Sequence, residues 1–172
     1  MSKRIFCAVT FLLAAGLQVC TAAVAGDQLV GSGGAPARFV LKGGEVLDLQ
    51  THLRWQRCSF GMEWDGLGGC SGKQKLVTLK EAQRSAVALG DGWRLPSAVE
   101  LHSLVDVSHS DVVIDTVVFP GGVDQGEGAK YWSSSQVEDI PSLFYYIDFL
   151  SGAVDGHSQG FSLAVRFVRS GD

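Results

Sequence analysis

Twenty-two of the 172 residues are glycine, close to twice the usual share of about 7%, and they are scattered without a fixed period. Each glycine inside a helix or strand costs roughly 0.5–1 kcal/mol relative to alanine. A chain interrupted this often does not sustain long helices, which excludes bundles and coiled coils. Collagen is excluded too, because it needs glycine at every third position with abundant proline, and only four prolines are present. What remains is a domain of short elements joined by tight turns. With 46% hydrophobic and 19% charged residues, the chain is long enough for one packed core.

The longest apolar run lies at the start. Lys3 and Arg4 precede the apolar stretch Ile5 to Leu17, and Ala23-Val24-Ala25 stands before Gly26. A positive region, an apolar region and a small-x-small site in that order are the pattern of a secretory signal. Residues 1–25 are therefore read as a leader cleaved after Ala25, which places the protein in the periplasm or outside the cell. The alternative lipoprotein site, Leu17-Gln18-Val19-Cys20, carries residues larger than such a site normally holds. No later run approaches the ~20 apolar residues that span a bilayer, so no membrane insertion is expected after cleavage.

Cleavage changes two counts. Residues 1–25 contain two basic residues and no acid, so of 14 basic and 18 acidic residues 12 and 18 remain, a formal charge of −6. A mainly negative surface repels phosphates, which argues against nucleic acid as a partner. Cys7 and Cys20 also leave, and Cys58 and Cys70 stay as the one pair available for an exported disulfide. A redox pair would need the closer Cys-x-x-Cys spacing and a helix N-terminus, and zinc would need two further ligands.

Residues 26–37, GDQLVGSGGAPA, are small and nearly uncharged, a flexible lead-in to a domain over residues 38–170. Arg38 to Lys42 and Glu45 to Leu49 flank Gly43-Gly44, the signature of a β-hairpin. His52 to Arg57 alternates as a third strand. Thr78-x-x-Glu81 is a capping box that opens a helix over 79–89, closed by Gly90. Ser97-x-x-Glu100 opens a second, running to about Asp106. Val107 to Lys130 reads as a long loop. Tyr131 to Ser134, Leu143 to Phe149 and Ser162 to Arg169 are aromatic or β-branched runs separated by Ser151-Gly152 and Gly156 to Gly160. The order is β, two helices, loop, β, hence an α+β fold.

One segment is more specific than its pattern: Gly90-Asp91-Gly92-Trp93-Arg94-Leu95-Pro96-Ser97-Ala98-Val99-Glu100-Leu101. It is followed by Tyr131-Trp132-Ser133-Ser134-Ser135 and by Val165-Arg166-Phe167-Val168-Arg169. Leu47-Asp48, Thr51, Leu53, Trp55-Gln56 and Cys58 precede it, and Phe119-Pro120 and Ile147-Asp148-Phe149 with Gly152 complete the set. In this order, over residues 38–169, the motifs resemble the Lcl C-terminal domain family, named for a collagen-like adhesin. Trp-Arg-Leu-Pro-Ser-x-x-Glu is also similar to an element of the formylglycine-generating domains, which are grouped with C-type-lectin-like folds. The resemblance implies two short helices packed on twisted antiparallel sheets with a long loop. It also implies an exported location and, for the adhesin, attachment to sulfated polysaccharide through a trimeric, positively charged surface. This chain lacks a collagen-like repeat and is acidic. The redox cysteines of the sulfatase-activating enzymes and the Glu-Pro-Asn, Gln-Pro-Asp and Trp-Asn-Asp tripeptides of calcium lectins do not occur in it.

Trp93 and Leu95 are expected in the core, with Pro96 and Ser97 setting up the second helix. Trp55 and Trp132 are read as core as well. Arg94, flanked by core residues, needs either an acidic partner or a ligand, and Asp148 or Asp91 is an available acid. His102, Asp106, His109, Asp111 and Asp115 have metal-like composition, although a solvated helix end explains them equally. Ser133-Ser134-Ser135 sits beside no nucleophile elbow and reads as strand hydroxyls.

The loop between the cysteines places Phe60, Met62, Trp64 and Leu67 among glycines that cannot cover them, so Trp64 either folds back on the core or stands as an exposed anchor. The binding surface is sought at Trp64 and Asp65 with Asp124, Glu127, Lys130 and Tyr131 from the long loop. No cofactor, metal or catalytic residue is assigned. The reading is a non-enzymatic recognition module for a glycan or an envelope or extracellular protein. Its alternatives are a metal-dependent hydrolase around His102, Asp106 and His109, and a periplasmic structural or inhibitory protein acting by occlusion.

Overall fold

The computed structural model describes residues 28–30, 37–109, 111–121 and 129–171. The leader lies outside them, as do Asp124 and Glu127. Among the described residues, ten strands and two helices occur in the order β1(Gln28–Val30), β2(Phe39–Lys42), β3(Glu45–Asp48), β4(Leu53–Gln56), β5(Met62–Trp64), β6(Cys70–Gly72), α1(Leu79–Leu89), α2(Ala98–His102), β7(Lys130–Gln136), β8(Leu143–Asp148), β9(Val154–Ser158), β10(Val168–Ser170). The fold is α+β with antiparallel sheets, as the element order predicts. No helix among the described residues is long and apolar enough to cross a membrane.

The glycine hairpin forms as expected. β2 and β3 pair with Lys42 opposite Glu45, and Gly43 takes φ +57, a left-handed conformation that glycine adopts without a Cβ clash. The sheet runs β1-β2-β3-β4-β10, so the last strand returns to lie beside β4. β1 is a correction: Gln28–Val30, inside the segment read as a lead-in, pairs with Phe39–Leu41. Strand alternation divides the sheet cleanly. Val46, Trp55 and Val168 are fully buried on one face, and Glu45, Arg54, Gln56 and Arg169 occupy the other.

Both capping boxes are present in full, Thr78 with Glu81 and Ser97 with Glu100. α1 buries Leu79, Ala82 and Ala86 against Leu95, Trp132, Leu163, Val165 and Phe167. α2 is shorter than the expected run to Asp106. After His102 the chain tightens to Leu104 N–H→Leu101 O at 3.2 Å and Val105 N–H→His102 O at 2.9 Å, and Asp106 N–H then leaves for Val113 O. A second sheet, β7-β8-β9, faces the first across a core that includes Phe39, Leu101, Phe119, Tyr131, Ile147 and Phe149. β9 falls in the stretch read as a separating loop, and Gly156 within it pairs with Tyr145.

Residues 163–167 join the two sheets. Backbone bonds from Ala164 to Lys130 and Trp132, and from Val165 and Phe167 to Phe60 and Gln56, stitch them together. All five residues are buried, which is why the segment reads as continuous strand in the sequence although β10 itself begins at Val168.

Candidate functional site

Cys58 and Cys70 form a disulfide with Cα atoms 5.7 Å apart. The residues between them are a second correction to the sequence reading. They are not an open loop but a hairpin, β5 with β6, in which Trp64 lies opposite Cys70. Asp65 folds its tip: one carboxylate oxygen accepts the N–H groups of Leu67 at 2.7 Å and Gly69 at 3.0 Å. Those backbone bonds, Gly69 first, hold the Asp65 carboxyl below its ordinary pKa. Asp65 thus shapes the turn through that one oxygen, and Leu67 at the tip is 92% exposed.

Trp64 neither joins the core nor stands free. It rests on Arg57, whose guanidinium carbon is 4.0 Å from its ring centroid. Arg57 is itself buried. Its three nitrogens donate to the carbonyls of Val118 at 2.8 Å, Gly43 at 3.0 Å and Val117 at 2.9 Å. Burial lowers the Arg57 pKa and the Asp65 charge opposes that. A desolvated cation under an indole is worth about 1–2 kcal/mol, so Arg57 is a plate that fixes the Trp64 ring. Gly44 makes the close approach possible, since a Cβ there would lie 3.0 Å from Trp64 Cβ.

Trp64 forms one side of a cleft of about 960 Å³ on the polar face of the five-stranded sheet. Trp93 lines it as well, and here the sequence expectation changes: Trp93 is half-buried, packing on the core only in part. It sits just beyond Gly92, whose φ is +76, and Arg94 bridges to Val168, which sets Trp93 against β10. Arg169 lies over the Trp93 ring at 4.7 Å. The floor consists of Glu45, Arg54, Gln56 and Arg169, with Glu45 directly opposite Gln56 and Arg54 directly opposite Arg169 in the register. One nitrogen of Arg169 donates to both oxygens of Glu45, at 3.2 and 2.9 Å, and Arg54 stands 3.7 Å from the same carboxylate. Lys42 and Asp91 are also in the lining, and Cys58 places the disulfide beside it.

Of the residues expected at the binding surface, then, Trp64 is in the cleft and Asp65 is on the same hairpin. Lys130 lies on the other sheet, with its ammonium 5.9 Å from the Tyr146 ring. Tyr131 is corrected: it is fully buried, its hydroxyl 2.6 Å from Ser59 Oγ and accepting from Gln74 at 3.1 Å. Tyr131 pairs with Ile147 on the face that meets one core cluster, and its neighbour Trp132 is equally buried in the other, so β7 is covered on both faces. The floor residues escaped the sequence reading. Their signal was there in the alternation of the first hairpin and the strand after it, whose outward positions include Lys42, Glu45, Arg54 and Gln56.

Other candidates resolve into structure. Arg94 pairs with Glu100, not with Asp148 or Asp91, through two bonds of 2.8 and 2.7 Å. Ser133 donates to Tyr145 O, Ser134 to Pro96 O, and Ser135 accepts the Ala98 N–H at the start of α2. His109 lies 3.5 Å from Asp106, and Asp115 caps the turn at Val117 and Val118. Among the described residues no group of three or more His, Cys, Asp or Glu side chains is placed to hold a metal.

The described residues thus form a small α+β domain with antiparallel sheets, stapled by a disulfide and carrying an aromatic-walled polar cleft. The chain matches the model of the Lcl C-terminal domain over residues 44–169 and belongs to that family. No curated protein matches it.

Proposed function

We propose that the protein is an exported, non-enzymatic, adhesin-like recognition module that binds a glycan in the cleft between Trp64 and Trp93. The observation that carries this reading is the pairing of two indoles from separate elements across a floor of hydrogen-bonding groups. Indole faces stack on the C–H faces of sugar rings, and fixed polar groups below select among hydroxyl patterns. Membership of the Lcl C-terminal domain family supports the adhesin-like assignment, and the disulfide fits an oxidising compartment. The serine hydroxyls are taken up by backbone partners, which favours binding over nucleophilic catalysis. The arrangement is read as C-type-lectin-like, a reading supported by two short helices packed with several antiparallel sheets.

The test is binding by the chain exported with its own leader. On a glycan array followed by calorimetry, Trp64→Ala is expected to weaken the best ligand at least tenfold, about 1.4 kcal/mol, while the lost Arg57 stack lowers the melting temperature by only roughly 2–8 °C, because Trp64 lies outside the two core clusters. Trp93→Ala weakens the same ligand. Full retention of binding by both variants would remove the cleft from the function.

A further inference from the structure

Resting on that reading, we infer that the cleft selects an uncharged pyranose and discriminates against a sulfated one, with Glu45 as the residue that sets the choice. The lining holds three cations, Lys42, Arg54 and Arg169, against two carboxylates, Glu45 and Asp91, which gives a small positive excess. The arrangement matters more than the count. Glu45 lies where an incoming anion would have to sit: it accepts two bonds from Arg169 and is the carboxylate nearest Arg54. Arg169 is further held against Trp93. A sulfate that takes the Arg169 nitrogen must displace Glu45 and forfeit its charge-assisted bonds, and one that accepts from Arg54 instead sits beside the same carboxylate; either way two anions are brought together.

A sugar hydroxyl meets no such conflict, because it donates and accepts at once. Glu45 retains acceptor capacity: a carboxylate has about four lone-pair sites, and its side chain is 33% exposed. Arg54 offers further N–H donors, and Gln56 directly across the register offers both a donor and an acceptor. A hydroxyl can therefore donate to Glu45 while accepting from Arg54 or Gln56. Neighbouring hydroxyls on one ring suit this floor, and the ring's apolar face suits the indoles.

Neutral gluco-, manno- and galacto-oligosaccharides and their chemically sulfated counterparts, titrated into the exported full-length chain, test the inference. At least one neutral oligosaccharide should bind ten times or more tighter than its sulfated form. Glu45→Gln should lower the neutral affinity at least tenfold and raise the sulfated one, since the amide neither repels the sulfate nor holds Arg169 as strongly. A wild-type preference for the sulfated form, or an unchanged neutral affinity in a Glu45→Gln chain that melts as the wild type does, overturns the inference while leaving the cleft as the site. Should no oligosaccharide of either kind bind, the glycan reading falls with it. The wild-type comparison decides the matter on its own if Glu45→Gln fails to fold.

Discussion

Breaking the disulfide should cost about 3 kcal/mol of stability and remove ligand binding before it unfolds the domain. Cys58 follows directly after Arg57 at the end of β4, and its partner lies 12 residues on, at the start of β6. Between them stands the hairpin that carries Trp64. In the chain-entropy account, freeing a closed loop of this length restores about 3 kcal/mol to the unfolded ensemble, which for a domain of this size lowers the melting temperature by roughly 6–12 °C. What holds the hairpin without the staple is modest: the Lys75 N–H→Phe60 O and Met62 N–H→Ser59 O bonds, the Arg57–Trp64 stack, and packing of Met62 near Gly121. The reduced hairpin therefore swings away from Arg57 more readily than the sheets separate. Urea unfolding of the oxidised chain and of Cys58→Ser/Cys70→Ser, with ligand titration below the transition, measures both effects. A stability loss under about 1 kcal/mol with undiminished affinity would show that packing alone positions Trp64.

Two further expectations concern acid and sterics. The Asp48 carboxyl is raised by burial but held lower overall, below 3.8, by hydrogen bonds from Arg38 and Gln50. Glu100 is held below 4.5, first by Arg94 and against the opposing effect of burial. Groups with depressed folded-state pKa values stabilise fully above their ordinary values and lose that contribution as pH falls through the folded ones. Stability should thus be nearly flat from pH 7 to about 5 and fall steeply below about 4.5, and Asp48→Asn should flatten that limb while costing about 3 kcal/mol at neutral pH; an acid limb equal to the wild type's contradicts the assignment. Gly44→Val places branched carbon where a bare Cβ already lies 3.0 Å from Trp64 Cβ. It should weaken ligand binding several-fold in calorimetry and lower the melting temperature by several degrees, as overpacking of about 1–3 kcal/mol does.

Much of the fold was legible because local chemistry and tertiary structure agree there. Gly43-Gly44 turns the first hairpin, both capping boxes start helices where they should, and Trp55 and Trp132 are buried as their patterns require. The errors fall where tertiary context decides. The residues between the cysteines are too rich in glycine to announce strands, yet cross-linking their ends makes pairing of β5 with β6 inexpensive in entropy. β9 has the same composition problem and is rescued by pairing with β8. The candidate site was half legible. The stapled segment pointed to Trp64, but the loop residues chosen beside it lie in a different part of the fold or outside the described residues. Trp93, assigned to the core from its neighbours, is half-exposed because the left-handed turn at Gly92 sets the ring beside Arg169.

Arg166 shows why a periodic reading stops short of the site. Between Val165 and Phe167, alternation sends it outward, yet it is 1% exposed, because the segment that joins the two sheets has core on both sides. Among the described residues no carboxylate forms an ion pair with it. Its guanidinium instead donates to the carbonyls of Gln56 and Arg57 and to Ser59 Oγ, between the rings of Phe119 and Tyr131. Carbonyl dipoles and ring faces, not an ion pair, thus offset part of its desolvation, while its buried Nε makes no hydrogen bond. Those two carbonyls belong to Gln56, one of the residues of the cleft floor, and to Arg57, which supports Trp64. A buried cation with no ligand of its own therefore fixes the backbone from which the binding surface is built, and it does so through contacts separated by 107 to 110 positions in sequence, beyond the reach of any local pattern.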